Sequence, residues 1–76
     1  MRKENITLIQ NELENNNIDY TVIFNISKGK QEGHRGFIIS TSVLDDFKKA
    51  VKRVFKDTAR PRLFTRHLNE DSIQVS

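Results

Sequence analysis

The apolar positions of this chain follow two periodicities, and the sharper one lies in the middle. Between Thr41 and Asp57, the residues Val43, Leu44, Phe47, Val51, Val54 and Phe55 recur at spacings of three, four, seven and eight. That spacing places them on one stripe of an α-helix. Ser42 stands where an N-cap belongs, and Asp45 follows three residues later as a short-armed capping box. Asp45 and Asp46 fall in the first turn, with Lys52, Arg53 and Lys56 toward the end. Each sign therefore meets the pole of the helix dipole that stabilises it. A shorter stripe of Ile6, Ile9 and Leu13, with Leu8 at its margin, predicts an earlier helix capped by Asn5 and reaching Asn15. Asn15-Asn16-Asn17 ends it, because asparagine tolerates the left-handed conformation that closes many helices.

Between these helices the period changes to two. From Tyr20 to Ser27, Tyr20, Val22, Phe24 and Ile26 share one face, and Thr21, Ile23, Asn25 and Ser27 share the other. The polar connection Lys28 to His34 reverses the chain into a second strand, Arg35 to Ser40, with Phe37 and Ile39 on the buried face. One face covered and one wet is the pattern of an antiparallel sheet. Ile23 and Ile38 then stand together on the outer face, as isolated aliphatics, as a homodimer or partner contact, or under cover of a C-terminal element. Past the central helix, Pro61 suits a first helical turn. Leu63, Phe64, His67 and Leu68 keep helical spacing, so a third helix of about two turns is expected in preference to a strand, the alternative over residues 61–70. Asn69 to Ser72 is a turn, and Ile73 and Val75 alternate in a last strand or tail. The expected architecture is an α+β single domain over residues 1–76, in the order α-β-β-α-α(-β), with an antiparallel hairpin packed against helices.

At 76 residues, such a domain buries only about 60% of its unfolded surface and has little room for an enclosed active site. There are no cysteines, which removes disulfides, thiolate nucleophiles and cysteine zinc sites together. His34 and His67 have no second ligand at metal spacing, and His67 reads as packing on the inner edge of the third helix. Asp45 and Asp46 diverge by roughly 100° on a helix and complement its dipole rather than form an acid/base pair. Gly29, Gly33 and Gly36 fit no phosphate loop and read as turn glycines. No catalytic residues, metal or cofactor are expected, and the chain does not read as an enzyme. No apolar run approaches the ~20 residues that span a bilayer, and no signal peptide follows Met1. A cytoplasmic protein without membrane contact is the expectation. The richness in Ile, Asn and Lys suggests a bacterial host cell or its phage.

Charge is the main functional signal. The net charge is only +3, yet from Lys48 to Arg66 eight cations stand against Asp57 alone. Five of the eight cover the solvent side of the central helix with no acid between Phe47 and Phe55. A charged outer face is what any surface helix needs, but self-repulsion of this kind is also relieved by a partner. The candidate binding residues are Lys49, Lys52, Arg53, Lys56, Arg60, Arg62 and Arg66, with Lys28, Lys30 and Arg35 of the hairpin as a second group. Arginine's planar fork suits phosphates and carboxylates alike. The partner is a host protein, a protein–nucleic acid complex, or DNA or RNA bound through its backbone. No exposed aromatic series interleaves the cations, so base stacking on single strands gains little support.

The chain also resembles a known family. Asp19-Tyr20-Thr21-Val22 after a first helix, and Ser42-Val43-Leu44-Asp45-Asp46-Phe47-Lys48-Lys49-Ala50 opening a later one, resemble a compact member of the small phage-encoded type II anti-CRISPR proteins, inhibitors of Cas9. The order of most of the chain matches. The resemblance implies a phage or mobile-element accessory protein that binds and inhibits a host defence nuclease. The family member is acidic and uses carboxylates to occupy the site that reads DNA, whereas this chain is basic. No functional residue carries over. A nucleic-acid-binding regulator using the same cations is the alternative.

Overall fold

Alternation at Phe37 and Ile39, and again at Ile73 and Val75, builds the middle of the fold. The computed structural model describes residues 1–24 and 35–76. Helix α1 spans Lys3–Asn15, strand β1 Thr21–Phe24, β2 Arg35–Ser40, helix α2 Leu44–Val54, β3 Thr65–His67 and β4 Ser72–Val75. The strands form one antiparallel sheet in the order β1-β2-β4-β3. Val22, Phe37 and Val75 are cross-strand partners in one row, and Ile39 faces Ile73 in the next. Both rows lie under the helices, so the fold is α+β with one sheet face covered.

The core is centred on three rings. Phe37 meets Tyr20 edge-on at 5.6 Å and Phe47 of α2 at 5.5 Å. Such pairs add about 0.5–1.5 kcal/mol each beyond the area they bury. Phe47, Ala50, Val51 and Phe55 are buried along α2, with Val54 partly so, as the stripe requires. Ile6, Ile9 and Leu13 do the same for α1. Helix α1 ends as its asparagines predict. Asn17 takes φ 55°, while the amides of Asn17 and Ile18 donate to the carbonyls of Glu14 and Leu13 at 3.2 and 3.0 Å. That paired closure, with buried Leu13 and Ile18 at its ends, is the Schellman motif.

Several expectations are corrected. The third helix does not form: Leu63 to Leu68 runs into β3 instead. A two-turn helix is marginal by itself, whereas β4 satisfies this backbone directly. Phe64 and Ser76 exchange two hydrogen bonds at 2.8 and 2.9 Å, and the Leu68 amide donates to the Ser72 carbonyl at 3.0 Å. Asn69 Oδ1 fixes the turn by accepting from the Asp71 and Ser72 amides, both at 2.8 Å. His67 is consequently exposed on an edge strand rather than packed. Ser42 does not cap α2. Its hydroxyl lies 2.8 Å from that of Ser40, residues 41–43 make a 3₁₀ turn, and Val43 precedes the helix. Helix α1 begins at Lys3 rather than after Asn5, with the Ile6 amide donating to the Arg2 carbonyl, and Met1 ahead of it is buried in the core. Gly36 sits inside β2 opposite Ile23, so it is a strand glycine and not a turn glycine. Ile26, Lys28, Lys30, Gly29, Gly33 and His34 lie outside the described residues.

Candidate anion-binding groove

The basic groove follows from how the chain leaves α2. Phe55 is buried and holds the end of the helix in the core. Residues 58–60 are exposed, Leu63 packs back against the core, and β3 must reach its place beside β4. The link through residues 60–63 therefore runs alongside α2 and leaves an open groove of about 800 Å³. Val51, Pro61 and Leu63 supply its apolar lining. Lys48, Lys49 and Lys52 come from α2, and Arg60 and Arg62 from the link. Asp45 is the one acid that lines it. Positions 45, 48, 49 and 52 are spaced by three and four, which is why they share one helical stripe. Among the described residues, none of the five cations has a carboxylate within ion-pair distance.

The undivided basic helix face expected from the sequence is thereby split. Arg53 points away from the groove to α1, where its Nε donates to Glu12 Oε2 at 3.0 Å. Hydrogen bonds from Arg53 and Asn16 hold the Glu12 carboxyl below its usual range. Lys56 is exposed beyond the end of α2 and does not line the groove. Arg66 lies on β3 opposite Gln74, in the row that continues to Ile38 and Thr21 on the uncovered sheet face. Arg35 opens β2 opposite Phe24. Lys48 joins Lys49, Lys52, Arg60 and Arg62, a role its spacing of four from Lys52 could have signalled.

Ile23 and Ile38 do share the uncovered face as diagonal neighbours, Ile23 facing Gly36 and Ile38 facing Thr21. Both are partly buried. On the covered face, the Tyr20 hydroxyl donates to Glu14 Oε1 at 2.9 Å and accepts from Gln10 Nε2 at 3.3 Å. Desolvation raises the pKa of that phenol, and the Glu14 carboxylate adds to the rise. The arrangement ties α1 to β1 and uses the hydroxyl structurally. Among the described residues, no group of three His, Cys, Asp or Glu side chains gathers as a metal site. No described helix is long and apolar enough to cross a membrane.

The groove thus gathers five cations and one acid along one open surface. Comparisons with protein-family models, curated proteins and solved structures find no match to this chain.

Proposed function

We propose that this protein is a non-catalytic binding protein that holds a nucleic-acid phosphate backbone in the groove between α2 and residues 60–63. The backbone is either a free strand or one carried by a host protein–nucleic acid complex. One observation carries this reading: two segments separated in sequence converge to place along one open groove five cations that have no ion-pair partner among the described residues. Bringing like charges together costs free energy that a polyanion recovers on binding. The proposed setting is that of a phage or mobile-element accessory protein in the bacterial cytoplasm, inhibiting a defence nuclease by engaging the nucleic acid it holds. The resemblance to type II anti-CRISPR proteins and the Ile-, Asn- and Lys-rich composition support that setting. The uncovered sheet face with Ile23 and Ile38 supports self-association as a second contact.

Fluorescence anisotropy with labelled DNA and RNA oligonucleotides, titrated across salt, tests the groove. The expected result is binding whose log affinity falls linearly with log salt. Absence of binding at low salt would refute the free-strand form. Salt-sensitive capture of a nucleic-acid-free nuclease, without oligonucleotide binding, would reassign the groove to an acidic protein surface.

A further inference from the structure

Beside the basic groove lies a second one of about 1130 Å³, and the two share Arg60, Pro61 and Arg62. Phe64 lines this second groove and is 61% exposed, more than Leu8 at 48% or Leu68 at 43%. A phenyl ring carries a large apolar surface, and leaving it in water is unfavourable. Its position explains how it comes to be exposed. Leu63 turns inward to pack against the core, and in an extended chain the next side chain points the other way. The backbone of Phe64 is held in that extended state by its two hydrogen bonds to Ser76. Arg66, two residues on, lies on the same side of the strand by alternation, and Arg62 flanks Phe64 from the other direction.

We propose that Phe64, flanked by Arg62 and Arg66, is a base-stacking platform, and that single-stranded nucleic acid is the ligand of the groove. The inference rests on the phosphate-binding reading and names which form of nucleic acid it takes. A duplex keeps its base faces stacked inside and offers Phe64 nothing. A single strand can lay one base on the ring while its neighbouring phosphates meet Arg62 and Arg66. Stacking on an aromatic side chain is sequence-tolerant, because every base has a π-face. Arg60 and Arg62, common to both grooves, let the backbone continue from the platform to Lys48, Lys49 and Lys52. The aromatic-and-arginine alternation exists only because Phe64, bonded to Ser76, leads into strand β3 rather than a helix.

The test compares a fluorescein-labelled oligothymidylate with the same strand annealed to oligoadenylate, at one salt concentration. The parent and the variants Phe64→Ala and Phe64→Trp are measured, and circular dichroism melting confirms that each is folded. The expected results are preference of the parent for the single strand, a loss of about tenfold or more with Phe64→Ala, and retention with Phe64→Trp. Duplex binding should not change. Replacing the thymines by abasic sites should weaken the parent as much as Phe64→Ala does. Unchanged oligothymidylate affinity in Phe64→Ala, or a parent that favours duplex, overturns the platform and leaves the groove reading standing. A parent that binds neither form overturns the platform together with the free-strand form of the groove reading.

Discussion

Replacing Lys49 and Lys52 together by glutamine should reduce the salt dependence of binding without unfolding the protein. Both side chains are exposed on α2 and line the groove, and surface substitutions of this kind usually change stability by no more than about 0.5 kcal/mol. Counting the five groove cations alone, with Arg66 left out, and ~0.7 for each phosphate contact on a single strand, the groove's part of the parent slope is about −3.5. A fourfold rise in salt, from roughly 50 to 200 mM, then weakens the parent by about a hundredfold. The double variant keeps three cations, so its slope falls to about −2.1 and the same rise weakens it only about twentyfold. Arg53→Gln is the internal control. Glu12 already neutralises that guanidinium across the helix pair, so its loss should leave the slope nearly unchanged. Anisotropy titrations at four or more salt concentrations read these slopes directly. An unaltered slope in the double variant would mean the groove lysines do not meet phosphate. A fall with Arg53→Gln equal to that of a single groove lysine would mean the ligand contacts the whole basic face of α2 and not the groove.

Phe47→Ala should destabilise the fold by about 3–5 kcal/mol, because Phe47 is fully buried and in edge contact with Phe37. A chain of this size has roughly 4–11 kcal/mol of stability in all, so denaturant melting should show a variant near or past its unfolding threshold; a parent-like midpoint would contradict the core assignment. Glu12 has a depressed pKa, so its contribution is present above the ordinary glutamate value of about 4.3 and is lost as pH falls through the lower folded value. Glu12→Gln should therefore show a shallower acid loss of stability than the parent below about pH 4.3, and superimposable stability–pH curves would remove the ion pair from the account. Sedimentation velocity should give a lighter species for Ile23→Glu than for the parent if the uncovered sheet face self-associates; two identical monomers would leave Ile23 and Ile38 as ordinary surface.

Much of the fold is local in origin and was legible along the chain. The stripe of α2 and that of α1 each encode which face turns inward, because burial of one helical side needs only neighbours three and four residues away. The strand from Arg35 to Ser40 has the bounds its alternation predicts. The asparagine run closes α1 through a backbone conformation that asparagine itself tolerates. Residues 63–68 were not legible in this way. Their apolar spacing fits two periods, and the choice was made by hydrogen bonds to β4 and by the Asn69 turn. That pairing is tertiary: six residues have too little helical stability of their own to resist it. The basic surface divides along the same line. Composition showed that cations crowd between Lys48 and Arg66, and the helical period showed that those on α2 face solvent. Only the packed structure could bring Arg60 and Arg62 back beside Lys48, Lys49 and Lys52, since the return path is set by Leu63 docking and by β3 pairing. Only it could take Arg53 out of the set, because Glu12 lies 41 residues away along the chain. The exposure of Phe64 has the same cause: a side chain's face is decided by the secondary structure it joins, and here a neighbouring strand made that decision.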